Sequence, residues 1–103
     1  MVVASSATRR RGGDINMFYS YVLKSKKNET FYYGSTDNLR RRFVEHNKGI
    51  GGAYTRKNRP FELIYYEAYL DYKDAKASEK FLKSGYGREV VKGKIKNYLK
   101  SLT

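Results

Sequence analysis

Aromatic and β-branched residues dominate FYSYVLK, residues 18–24, and predict a strand. TFYYGS, residues 30–35, predicts a second, with SKKNE between them as a turn. A turn over 25–28 sets Tyr21 opposite Tyr32, and a register two residues longer in pairing sum sets Tyr21 opposite Gly34. Either way Tyr21, Tyr32 and Gly34 share one face, because side chains alternate along a strand. The second strand ends at Gly34, where a missing side chain admits a ligand or another backbone.

A helix follows, with Thr36 or Asp37 as N-cap and Gly49 beyond its end. Leu39, Arg42, Phe43 and His46 fall on one side at helical spacing. Leu39 and Phe43 anchor that side to the sheet, which leaves Arg42 and His46 along its margin near the strands. Arg40 and Arg41 point elsewhere, and Arg41 reaches Glu45 one turn on. GIGGAYTRKNRP, residues 49–60, reads as a flexible, basic connector carrying Arg56, Lys57 and Arg59. FELIYYEAYL, residues 61–70, alternates loosely and predicts the third strand. Asp71 caps a helix through about Ser84, stopped by Gly85. A last helix from about Arg88 to Ser101 buries Val91, Ile95, Tyr98 and Leu102, with Lys92, Lys96 and Lys100 as an opposite basic stripe. The order β-β-α-β-α-α predicts a small α+β domain, a three-stranded antiparallel sheet flanked by helices.

At 103 residues and 40% hydrophobic content the chain suits one domain, over residues 17–103. Residues 1–16 read as a flexible N-terminal extension without the apolar segment of a secretory signal. The net charge is +12, and residues 17–103 keep +10 of it, so the folded part itself is expected to meet a polyanion. Without cysteine there is neither a disulfide framework nor a thiolate zinc site, and one histidine excludes a multi-histidine metal centre. No apolar run approaches the roughly 20 residues that span a bilayer. A cytoplasmic protein with no membrane partner is expected, as a monomer or weak homodimer.

Hydrolysis of a phosphodiester requires an activated water, positive charge for the phosphorane and usually a hard cation. Magnesium often takes only one or two protein carboxylates. Asp37 and Asp71 suit helix caps, Glu45 suits Arg41, and Glu29 lies in a turn. Glu79 stands mid-helix beside the small residues Ala75 and Ser78. It reads either as a metal ligand or as a solvated residue paired with Lys83. Tyr21 and Tyr32 read equally as core phenols, Arg42 as a solvated arginine, and His46 as a cation favoured by the helix C-terminus.

Tyr19-Ser20-Tyr21 and Tyr32-Tyr33-Gly34 resemble the paired motifs of the GIY-YIG nuclease family. YYGSTDNLRRRFVEHNKG, residues 32–49, is similar to the family run whose helix carries an arginine eight residues beyond the motif glycine, here Arg42. A histidine or tyrosine often follows four residues later, here His46. The stretch 59–85 resembles the family's third strand and the helix whose glutamate holds the metal, here Glu79. The likeness is strongest to short stand-alone bacterial members related to the nuclease domain of the excinuclease C subunit. The first motif reads YSY rather than Gly-Ile-Tyr, the second has tyrosine for isoleucine, and Ser35 stands where repair-type relatives often have lysine.

The resemblance implies a metal-dependent endonuclease on DNA, in a repair-type setting, with Mg2+ or Mn2+ held by Glu79. It implies Tyr21 as general base, Arg42 as phosphate-bracing cation, Tyr32 as holder of the attacking water or a phosphate oxygen, and His46 as a hydrogen-bonding assistant. An unperturbed phenol has a pKa near 10, so Tyr21 is expected to need a nearby cation to lower it. Gly34, Ser35, Arg40, Arg41, Arg56, Lys57 and Arg59 are expected to meet substrate. The alternative is a nucleic-acid-binding module of the same fold with little or no cleavage, and charge alone does not exclude RNA.

Overall fold

The computed structural model describes residues 9–10 and 14–103. The flexible extension expected over 1–16 falls largely outside the described residues; Arg9–Arg10 and Asp14–Ile15 pair as a short antiparallel ribbon. Strands β1 (Phe18–Ser25), β2 (Phe31–Thr36) and β3 (Phe61–Tyr69) form one antiparallel sheet in the order β2-β1-β3. The helices are α1 (Leu39–Lys48), α2 (Ala53–Asn58), α3 (Tyr72–Lys83), α4 (Gly85–Lys94) and α5 (Lys96–Ser101).

Of the two expected registers the sheet takes the second, with Tyr21 opposite Gly34 and Leu23 opposite Tyr32. The reason lies in the turn. It runs to Thr30, whose carbonyl accepts from the Ser25 amide at 2.8 Å, while the Ser25 hydroxyl accepts from the amides of Lys27 and Asn28. Alternation then sorts two cores. Tyr21, Leu23 and Phe61 pack with Tyr32, Leu39 and Phe43 on the α1 face. Val22, Leu82 and Val91 pack with Tyr33, Ile64 and Ile95 on the α3–α4 face.

The caps differ from expectation. Asn38, not Thr36 or Asp37, caps α1: its side chain accepts from the Arg41 amide at 3.0 Å. Asp37 pairs instead with the Arg41 guanidinium at 2.9 Å. Gly49 at φ 83° closes the helix as read. The connector is partly helical, because α2 is pinned by buried polar residues: Asn58 donates to the Tyr54 carbonyl, and the Ser25 hydroxyl donates to the Asn58 carbonyl. Asp71 caps α3 as expected. α3 ends at Lys83, close to the expected end, with Ser84 rather than Gly85 as its stop; Ser84 then caps the next helix by accepting from the Gly87 amide, so α4 starts at Gly85, ahead of the expected Arg88. The expected single last helix breaks at Ile95 into α4 and α5, and Leu102 remains 48% exposed rather than buried. Lys92 consequently stands on a different helix from Lys96 and Lys100. No helix among the described residues is long and apolar enough to cross a membrane.

Candidate active site

Tyr21 projects from the central strand toward the edge strand, and its ring lies over Gly34. A Cβ built at Gly34 would stand 2.5 Å from the Tyr21 oxygen. The missing side chain thus makes room for a phenol of the same chain, where the sequence had left ligand and backbone as the candidates. The Tyr21 oxygen lies 2.9 Å from His46 Nε2. Both rings are shut in, Tyr21 at 2% exposure and His46 at 0%, so His46 sits beneath the helix rather than along its margin. Tyr32 packs edge-on against His46 with ring centroids 4.9 Å apart, and Tyr54 of α2 stacks on Tyr32 at 5.8 Å.

Electrostatics follow from this burial. Desolvation, then the neighbouring Tyr32, push the Tyr21 pKa up to about 12, although the Arg42 guanidinium pulls the other way. The expected lowered phenol is therefore not found: burial outweighs the cation. His46 is pushed down to about 4 by burial and then by Arg42, against a smaller opposing effect of Glu45, and is neutral at pH 7. Its Nδ1 is buried with no hydrogen-bond partner among the described residues. An orphaned acceptor is tolerated better than an orphaned N–H. The imidazole is therefore assigned the tautomer in which Nε2–H donates to the Tyr21 oxygen.

Arg42 is fixed by two acceptors, Glu45 Oε1 at 3.0 Å and the Gly51 carbonyl at 2.9 Å. Burial works against its charge, but Glu45 and the two phenols outweigh that and raise its pKa. Gly51 was not singled out by sequence reasoning, yet a Cβ there would stand 2.3 Å from His46 Nδ1. Its close approach lets one loop cover the imidazole and hold the arginine.

Glu79 lies on the other side of the sheet. Its Oε1 accepts from the Ser35 hydroxyl at 2.7 Å, and Ser35 alternates with Gly34 on the edge strand. Lys83 at 2.9 Å and Lys76 at 3.3 Å complete its surroundings. Burial favours the neutral acid, but Ser35 and the two lysines prevail and hold the carboxyl below its ordinary range. The five residues therefore do not line one concave pocket. Four stand on the α1 face and Glu79 on the α3 face, with one edge strand between them. The Glu79 charge still contributes, last of the causes, to the rise of the Tyr21 pKa. An open hollow of about 470 Å³ is lined by Arg42 from one side and Ser35 from the other, while Tyr21, Tyr32, His46 and Glu79 stay outside its lining.

The remaining expected contacts are scattered. Ser35 is engaged with Glu79 rather than free for substrate. Arg41 is paired with Asp37 and Glu45 at the surface. Arg40, Arg56, Lys57 and Arg59 are exposed. Sequence reasoning also passed over Glu67, which accepts from the hydroxyls of Tyr65, Tyr69 and Ser78, with Ser78 in turn 2.7 Å from Ser20. The alternation of Tyr65, Glu67 and Tyr69 along β3 was the available signal.

Residues 17–94 match the family described as the GIY-YIG catalytic domain. The chain belongs to the GIY-YIG family. Among its relatives is the UPF0213 protein in the ldhD 5′ region of Pediococcus acidilactici, 43% identical over 79 residues, which are 75% of this chain and 80% of that one. The UPF0213 protein YazA of Bacillus subtilis is 37% identical over 70 residues, covering 68% and 70% of the two chains. The solution structure of the UPF0213 protein BH0048 from Bacillus halodurans is similar at 31% identity and a TM-score of 0.45, covering 73% of this chain and 81% of that chain. The GIY-YIG catalytic domain implies a nuclease superfamily and a nucleic acid as substrate.

Two predictions arise from the geometry. Gly34→Ala should drive a methyl group into the Tyr21 phenol and separate it from His46, costing about 1–3 kcal/mol as overpacking does. Denaturant unfolding reads the loss. Acid should also destabilise the fold through His46. Its folded pKa is depressed, so the unfolded chain binds more protons between pH 6.5 and about 4, and stability falls as pH drops through that window. The contribution is on the order of 3 kcal/mol, and His46→Gln should remove it from the difference between unfolding at pH 7 and at pH 4.

Proposed function

We propose that the chain is a metal-dependent endonuclease that hydrolyses phosphodiester bonds in DNA in the cytoplasm. One observation carries this reading: an ionised Glu79 and the Tyr21–His46–Arg42 cluster flank the same edge strand, and Arg42 and Ser35, the partner of Glu79, line one open hollow.

Among the described residues no three or more of His, Cys, Asp and Glu gather as a metal cage. Glu79 nevertheless fits Mg2+ or Mn2+ of the open kind, which takes one carboxylate and fills its shell with water and phosphate oxygens. The carboxyl is ionised, 14% exposed, and oriented by Ser35, while Lys76 and Lys83 are long exposed side chains that can swing aside. A cation held there by Glu79 would supply positive charge to the phosphate. Arg42 braces the same phosphate from the other face of the sheet as a planar, permanently charged donor. Tyr21 first gives its proton to bulk solvent, and the phenolate then takes the proton of the attacking water. His46 Nε2–H and the Arg42 charge stabilise the phenolate during that step. Tyr32 packs against His46 and so holds the ring that orients Tyr21.

A second reading has its own support. Tyr21 is buried and protonated, and two lysines already neutralise Glu79, as suits a nucleic-acid-binding module that does not cleave. Incubation with labelled branched, nicked and linear DNA, with Mg2+ or Mn2+ against chelator, separates the two. Cleavage dependent on the cation supports the endonuclease, and binding without cleavage across all forms supports the module. Either way Arg56, Lys57 and Arg59 should extend the positive path. Replacing all three with neutral residues should lower affinity on every sequence alike and flatten the salt slope of duplex binding by roughly 2 to 3, which a salt titration measures.

A further inference from the structure

Beyond α1, toward β3, the same face of the sheet is open. Tyr66 is 52% exposed there, Tyr19 is half-buried, and their rings meet edge-to-face at 6.0 Å. Neither hydroxyl has a hydrogen-bond partner among the described residues, so the rings are held by packing alone. They floor an open hollow of about 710 Å³, whose wall is made by Leu63, Phe43 and Arg40. Arg41 and Arg42 of the same run are tied to carboxylates, but Arg40 has no carboxylate partner among the described residues. The floor is thus aromatic and the rim carries a cation free to take a phosphate.

We propose that this hollow stacks one unpaired nucleobase of a single-stranded segment of nucleic acid, with the base on Tyr66 and Tyr19 and its phosphate on Arg40. This deepens the reading above and rests on its nucleic-acid-binding half. Aromatic stacking on a protein surface is tolerant of base identity, because every base has a π-face, and it is open only to a base outside a duplex stack. Charge complementarity excludes an apolar partner, since Arg40 stands at the rim of a chain of net charge +12. The position also connects to the catalytic side: Tyr19 lies two residues from Tyr21 on β1, and Asp37 lines both this hollow and the one between Arg42 and Ser35. A strand whose phosphate lies at Arg42 therefore continues onto the tyrosines around the entry to α1. The substrate favoured is single-stranded or has an unpaired junction.

The test uses the full chain with chelator present, so that cleavage plays no part, and one fluorescein-labelled oligonucleotide followed by anisotropy, single-stranded and annealed to its complement. The wild type should bind the single strand more tightly. Tyr66→Leu should weaken single-strand binding by roughly 5- to 100-fold, the range of one lost stack, with duplex binding unchanged within about twofold. Tyr66→Phe, which keeps the ring, should bind as the wild type does. Equal affinity of Tyr66→Leu and wild type for the single strand overturns the proposal, as does a wild-type preference for duplex. Loss of binding in Tyr66→Leu sustains it even where the wild type cleaves nothing, because the measurement contains no metal.

Discussion

Glu79→Gln should lower cleavage at saturating Mg2+ and DNA by at least about 100-fold. Glutamine keeps the volume and the helix preference, and its amide oxygen can still accept from Ser35, so folding should be retained. What is lost is the charge that Ser35, Lys83 and Lys76 keep ionised. The two lysines would then face the phosphate unopposed. DNA binding in chelator should accordingly hold or improve. A structural role alone predicts the reverse, with little change in rate. Arg42→Ala is the contrasting case, because it removes positive charge from ground and transition states alike and should harm both binding and rate.

Tyr21→Phe should lower kcat by about 100- to 10,000-fold with KM nearly unchanged, the range for a lost proton-transfer group. The pH profile gives the sharper reading. With the phenol pushed up to about 12, the fraction ready to take a proton grows with pH through neutrality. The wild-type rate should therefore climb by about tenfold per pH unit between 7 and 9, and the variant's residual rate should not. Removing the hydroxyl also leaves His46 Nε2 without its partner, which should cost about 1–3 kcal/mol of stability. A purely structural Tyr21 predicts that loss of stability with the rate and its pH dependence intact.

Much of this was legible in the chain because the two signals that built it are local. Alternation placed Tyr21, Tyr32 and Gly34 on one face whichever register held, and helical spacing put Arg42 and His46 on one side of α1, although it placed His46 at the margin rather than beneath the helix. The register itself was not legible, since it hangs on the Ser25 hydroxyl gathering the amides of Lys27 and Asn28. Nor was the cap: Thr36, Asp37 and Asn38 are all good N-cap residues in a row, and geometry alone chooses. The connector misled for a physical reason. Its glycines read as a loop, whereas α2 is held by tertiary bonds to Asn58 from Ser25 and Asn28 that no window of sequence contains. The pKa of Tyr21 was misjudged because Arg42 is visible in sequence and burial is not. The placement of Glu79 was half legible. Ser35 and Gly34 alternate, so a carboxylate bonded to Ser35 must stand across the strand from Tyr21, but the bond to Ser35 could only be seen once folded.

In the proposed mechanism the groups on the two faces of β2 act in a single step. The rates of wild type, Tyr21→Phe, Glu79→Gln and the double variant on one cleavable DNA, at saturating Mg2+, measure it most directly. Groups that act as a unit are far from additive, so the double variant should cleave within a few-fold of the slower single variant. Losses that multiply would mean two independent contributions and contradict a single centre across the strand edge.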